Sequence, residues 1–411
     1  MISGYLQTLR RFSRDVRLYL VSAALIGFTI FGGIYTVLLN LYLLRLGYDA
    51  PFIGLVNAAG PLALGIFCLP AGALGGRWGS RRAMIAGLIL SVPGFGLLPL
   101  AEFVPAAAQP AWLLAMYVIG YLGFATYLVN SNPFLTDITT ASERSHAFSL
   151  QAALWPLAGF AGSLIGGVLP GLLAGPLQMS LDHPQPYRYP LIFAALLLIP
   201  GVMALLATRP GGHAQERVAA TEPAPRRLII LLAVITLLQM GGEAIARTFF
   251  NVYLDTRLQV STALIGALVG VGQLLAVPAA LATPILAARW GIARTAAIGS
   301  AGIALSLVPL AFFSHWAAAG LSFMGVIALA SIRRPLMTVY SMELVRPAWR
   351  AAMSGATTMA VGLSWAAIAW GGGYLIAALG YRSLFLSGAG LTGAGALLFW
   401  AYFLQRDPER A

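Results

Sequence analysis

Leu74-Gly75-Gly76-Arg77-Trp78-Gly79-Ser80-Arg81-Arg82 is a short basic, glycine-rich link between two long apolar runs. Leu286-Ala287-Ala288-Arg289-Trp290-Gly291-Ile292-Ala293-Arg294 links two others, with Arg289 falling 212 residues after Arg77. A second match shares nearly the same offset: Asn40-Leu41-Tyr42 returns 211 residues later as Asn251-Val252-Tyr253. Two matches at one spacing mark a duplicated unit, which hydropathy alone does not reveal.

The solvent of that unit follows from composition. Of the 411 residues, 59% are hydrophobic and 9% charged, with mean hydropathy +0.83. Soluble domains carry about 25% charged residues, so this chain lacks the polar surface to cover itself in water. Its apolar runs are unbroken rather than alternating, which excludes a β-barrel and leaves helices that satisfy their own peptide groups in lipid. Runs of about 20 residues predict twelve spans. The first six lie near Tyr19–Leu44, Phe52–Leu74, Met84–Ala101, Trp112–Leu135, Ala147–Leu173 and Leu191–Ala207. The second six lie near Leu228–Leu254, Ala263–Ala287, Thr295–Phe313, Ala317–Thr338, Ala352–Leu379 and Leu384–Leu404. The expected fold class is an all-α polytopic membrane protein of two pseudo-symmetric six-helix bundles, residues 1–208 and 228–411. The polar stretch 209–227 joins them as a flexible cytoplasmic linker.

Every basic residue is an arginine. The net charge of +12 reads as a topology signal rather than a nucleic-acid surface. Placing both termini and 209–227 in the cytoplasm puts about 20 arginines inside. Arg45, Arg188, Arg257 and Arg382 then fall outside, and Arg247 within a helix. The basic start, Met1–Arg17, precedes an apolar run too long for a signal peptide and reads as a retained first span in a bacterial-type inner membrane. The lone Cys68 and the scattered His146, His183, His213 and His315 give no disulfide or metal set, and no cofactor is expected.

The link at Gly72–Arg82 resembles the signature of the major facilitator superfamily, Gly-x-Leu-x-Asp-Arg-x-Gly-Arg-Arg. Gly72, Leu74, Arg77, Gly79 and Arg81 match, while Gly76 replaces the acidic residue, a departure that bears on the family's cytoplasmic latch. The resemblance implies a secondary transporter that moves a small molecule by alternating access, with Gly72, Arg77, Gly79, Arg81, Arg289 and Gly291 in cytoplasmic gating. Topology signalling alone is the competing role for these arginines. Gly159-Phe160-Ala161-Gly162-Ser163-Leu164-Ile165-Gly166-Gly167 is similar to part of the family's antiporter motif, with Ser163 in place of proline; it reads first as close helix packing.

Most carboxylates fall in tails, linker or loops. Glu243 stands near mid-span, with Arg247 one turn on along the same face. Its counterpart in the first half is Gly32, so duplication does not require it. A charge at that depth faces the bundle interior or a wet cavity, so the pair reads as a proton or substrate site, or as an ion pair that fixes packing. Asn40 and Asn251 read as an outer gate or as backbone caps. Arg333 and Arg334 read as cytoplasmic-interface anchors, with an anion-attracting vestibule as the alternative. Trp155, Trp365 and Trp370 line a cavity for an apolar or aromatic substrate, or sit in an interfacial belt.

Taken together, these residues point to proton-coupled export of an amphiphilic compound. An uncoupled facilitator and a non-transporting receptor or assembly factor of the same fold are the alternatives. Without a Gly-x-x-x-x-Gly-Lys loop or a clustered nucleophile and base, ATP hydrolysis and enzyme chemistry are not expected. The expected partners are a small molecule, a proton and lipid, with no nucleic acid, and the chain is expected to be a monomer. The topology is testable in a Cys68→Ala background: a cysteine replacing Arg217 should react with an impermeant reagent only after permeabilisation, and reaction in intact cells would reverse the orientation.

Overall fold

Eleven helices are long and apolar enough to cross a membrane, and no strand occurs among the described residues. The computed structural model describes residues 12–176, 178–209, 225–346 and 349–405. The first half comprises α1 (Arg14–Thr29), α2 (Ile34–Arg45), α3 (Ala50–Trp78), α4 (Ser80–Leu97), α5 (Gln109–Asp137), α6 (Ala141–Ala174), α7 (Gln185–Leu196) and α8 (Leu198–Leu206). The second comprises α9 (Arg226–Thr256), α10 (Thr262–Trp290), α11 (Ile292–Phe312), α12 (Trp316–Glu343) and α13 (Arg350–Phe399).

The two copies of the basic link fold alike. Gly79 and Gly291 both take φ +84°, a conformation that a side chain opposes, and each N–H closes the preceding helix on the carbonyl four residues back at 2.9 Å. The turns at the other end also correspond. Asp49 caps α3 through the Phe52 N–H, and Ser261 caps α10 through the Leu264 N–H, 212 residues later. These turns define a basic end, carrying Gly79 and Gly291, and an opposite end, carrying Asp49 and Ser261.

Three expectations change in detail. The last span, Met353–Leu404, has 52 residues, or roughly 78 Å of helix at 1.5 Å per residue, against about 30 Å of hydrocarbon. Gly380 (φ 76°, ψ 176°) interrupts it at the opposite end. There Tyr381 meets Thr256 at 3.0 Å and the Arg382 guanidinium lies over the Phe312 ring. The stretch 209–227 is shorter than expected, because Arg226 and Arg227 already belong to α9; residues 210–224, with His213 and Arg217, lie outside the described residues.

The third change is the first span, which is broken between α1 and α2 rather than continuous. Gly32 takes φ +88°, and the Thr36 hydroxyl repairs the gap: it accepts the Gly32 N–H at 2.9 Å and donates to the Ile30 carbonyl at 3.0 Å. Non-helical backbone survives at bilayer depth only where protein or a cavity surrounds it. Here α6 supplies the cover. A Cβ on Gly159 would stand 3.2 Å from the Phe31 carbonyl, and one on Gly162 would collide with the Phe28 carbonyl. The glycines of the antiporter-like stretch therefore let α6 lie against the break, which supports the packing role.

Contacts between the halves run mainly through two helix pairs. α3 meets α13 where Gly54 faces the Ala369 carbonyl and Gly373 faces Ala50. α6 meets α10 where Gly167 faces Gly266. Small residues let these backbones touch with no lipid between them. Gly162→Val should overpack the α6 contact by about 1–3 kcal/mol and lower the unfolding temperature in detergent by several degrees. An unchanged unfolding temperature would show that the break does not depend on this cover.

Candidate functional site

α9 carries the only fully buried carboxylate among the described residues, near the middle of its length. Glu243 is 0% exposed and three guanidiniums surround it. Arg247, one turn along, donates from Nε to Oε1 at 3.0 Å. Arg334 grips both oxygens, Nη2 to Oε1 at 2.5 Å and Nε to Oε2 at 3.1 Å. Arg333 donates to Oε2 at 3.4 Å and to the Gln239 carbonyl at 2.8 Å. The expected Glu243–Arg247 pair is therefore half of a four-residue cluster.

Arg333 and Arg334 are not interface anchors. Arg333 is 1% exposed, and both reach inward to α9. The expected span ended at Thr338, whereas α12 runs on to Glu343, which sets Arg333 more than a turn deeper. Among the described residues, the ion pairs of these three arginines go to Glu243 alone, leaving two positive charges unbalanced.

Beside the cluster lies a cavity between the halves. The broken first span provides Phe31, Gly32, Tyr35, Thr36 and Asn40; Arg247, Thr248 and Trp365 come from the second half. Phe95, Tyr117 and Tyr121 form its aromatic wall, with Tyr117 and Tyr121 ring centres 4.8 Å apart. Of the expected lining residues, Trp365 reaches the cavity. Trp155 packs behind Phe31, ring centres 5.4 Å apart, and Trp370 is 53% exposed on the outer surface.

Asn40 lines the cavity and joins the two halves. Its Nδ2 donates to Asn251 Oδ1 at 3.1 Å and to the Thr248 carbonyl at 2.7 Å. Asn251 returns the favour to the Val37 carbonyl at 3.1 Å. Asn57, an amide that the apolar run of α3 should have flagged, donates to Asn40 Oδ1 at 2.7 Å. Just beyond, Arg45 and Asp255 form a two-pronged ion pair at 2.7 and 2.8 Å, and Arg45 also donates to the Leu181 carbonyl. The two residues stand 210 positions apart, so packing alone brings them together.

The basic links are divided in use. Arg81 caps the end of α8, donating to Thr208 Oγ1 at 3.0 Å and to the Leu205 and Leu206 carbonyls at 3.2 and 2.6 Å. Arg77 and Arg289 are exposed, and Gly72 packs loosely beside Val129. Gly79 and Gly291 hold the left-handed turns.

Comparison with known proteins agrees with this architecture. The family description of the Major Facilitator Superfamily matches residues 19–369. An uncharacterised MFS-type transporter of Mycobacterium tuberculosis is 27% identical over 361 residues, covering 82% of this chain and 78% of the relative. The class C tetracycline resistance protein of Escherichia coli is 25% identical over 256 residues, 60% of each chain. Among solved structures, a nucleoside transporter superposes with TM-score 0.75 at 16% identity, covering 94% of this chain and all of the other. The xylose transporter of E. coli in an inward-open conformation gives 0.74 at 13% identity, with 94% and 95% covered.

Removing the one anion from the cluster should be costly. Glu243→Gln strands three guanidiniums, and a loss of about 3–5 kcal/mol is expected for breaking a buried pair. Adding Arg334→Gln should restore part of the lost unfolding temperature. A single variant as stable as the parent would show that the cluster does not support the fold.

Proposed function

The chain belongs to the major facilitator superfamily, and on that premise we propose that it carries a small molecule across the membrane by alternating access, as a secondary transporter. One observation supports this reading: the cavity is lined by both halves, and Asn40 with Asn251 and Arg45 with Asp255 join those halves. Such pairs form and break as a unit when two halves rock about a central site.

Several finer assignments go with the proposal. The chain has twelve crossings, because the 52-residue segment interrupted at Gly380 is long enough for two. Six belong to each bundle, joined through residues 209–225. The basic end faces the cytoplasm, as the arginine distribution requires, so the joining pairs lie towards the outside and both termini inside an inner membrane. Arg81 holds the cytoplasmic link against α8, whereas exposed Arg77 and Arg289 stand at the headgroup surface and serve topology.

Glu243 acts as the organiser of three arginines rather than as a proton carrier. Neutralising it would leave three guanidiniums together with no anion, so a coupling step there would work against the cluster's own support. That favours exchange or facilitated movement over proton-driven export through this residue.

The test needs no known substrate. In a Cys68→Ala background, a cysteine replacing Leu39 reports cavity access from each side of the membrane. Replacing Arg45 and Asn40 with alanine should raise its labelling from outside several-fold, because the outward-facing population grows once these pairs are lost. Labelling that stays one-sided, together with an absence of counterflow across a compound panel in proteoliposomes, would favour a receptor of this fold.

A further inference from the structure

Among the described residues, the one charged side chain that lines the cavity is a cation. Arg247 lines it, and the cluster behind carries two positive charges beyond what Glu243 balances. Gln273, 4% exposed on α10, lays its amide against Gly32, and its Nε2 has no hydrogen-bond partner. The indole Nε1 atoms of Trp365, on the cavity wall, and of Trp155, behind Phe31, are buried donors equally without an acceptor. The break places the N-terminus of α2 at the same spot, with the partial positive charge of a twelve-residue helix. Cation, donors and helix end all call for an acceptor, and an anion is the acceptor that a positive surplus at bilayer depth favours.

The other wall has a different chemistry. Phe95 lies edge-on to Tyr121 with ring centres 6.0 Å apart, and the Tyr117 and Tyr121 hydroxyls bond each other at 3.4 Å. Three rings thus present faces and edges suited to a flat apolar body. We infer that the cavity takes a small aromatic carboxylate, its carboxylate directed to Arg247 and the Gly32 break, its ring body to Phe95, Tyr117 and Tyr121. This rests on the cavity being the transporter's substrate site and names the class of its cargo.

Calorimetric binding to the purified full chain in detergent decides it, with 2-naphthoate, 2-naphthamide and 2-naphthylmethylammonium as matched probes. The acid should bind at least about tenfold more tightly than the amide, the scale expected of a charge-assisted contact, and the amine should not register. Arg247→Gln should bring acid and amide within about twofold; it remains folded because Arg333 and Arg334 still hold Glu243. Gln273→Leu keeps the side-chain bulk, removes the amide, and should weaken the acid several-fold, which preserves the test should Arg247→Gln fail to fold. Amide or amine binding as tight as the acid, no binding of the acid, or an unchanged preference in the variants overturns the inference. Counterflow of some other compound alongside acid-blind binding keeps the transporter and removes the anion. Acid-selective binding without counterflow keeps the site and removes transport.

Discussion

Hydrocarbon supplies no hydrogen bonds, so the peptide groups and charges that this chain takes to bilayer depth need partners within the chain or a cavity. That constraint accounts for the irregular features at once. The break between α1 and α2 persists because Thr36 takes up the groups it frees and α6 covers it. Glu243 persists because three guanidiniums converge on it. The asparagines of α2, α3 and α9 persist because they satisfy one another, Asn57 with Asn40 and Asn40 across the halves with Asn251. Each irregularity is costly alone and stable in company, and Gly32, Thr36, Asn40, Asn57 and Arg247 line one cavity.

The two halves use the duplicated scaffold differently. At the 211-residue offset, Gly32 and Thr36 correspond to Glu243 and Arg247. Both pairs are spaced four apart and hydrogen-bonded, Gly32 N–H to the Thr36 hydroxyl and Arg247 Nε to Glu243. In one copy the pair opens the helix; in the other it anchors charge within an unbroken one. The first half thus contributes an interrupted helix and an aromatic wall, and the second contributes the cations.

Much of this was legible in the sequence, for reasons that are local. Gly79 and Gly291 announced matching turns because a left-handed residue between apolar runs has few other uses. Glu243 with Arg247 stood out because charge is rare in such runs, and the repeat marked Asn40 and Asn251 as matching positions with an outer gate or backbone caps as their role. What stayed hidden depends on geometry between segments. Hydropathy cannot show a break inside a continuous apolar run, so the role of Gly32 was invisible. Arg333 and Arg334 stood close enough to a span's expected end to pass for anchors, and only the extra turn of α12 turns them inward. Arg45 and Asp255 lie 210 residues apart and are joined by packing alone.

The Asn40–Asn251 bond joins matching positions of the repeat, 211 residues apart. Positions that meet their own counterparts lie near a two-fold axis, where like touches like. An amide suits that place because it carries both a donor and an acceptor, so one residue type serves both sides of the contact. A carboxylate or a guanidinium repeated there would face its own charge. Arg45 and Asp255 are not counterparts of one another, so that contact is free to join opposite charges.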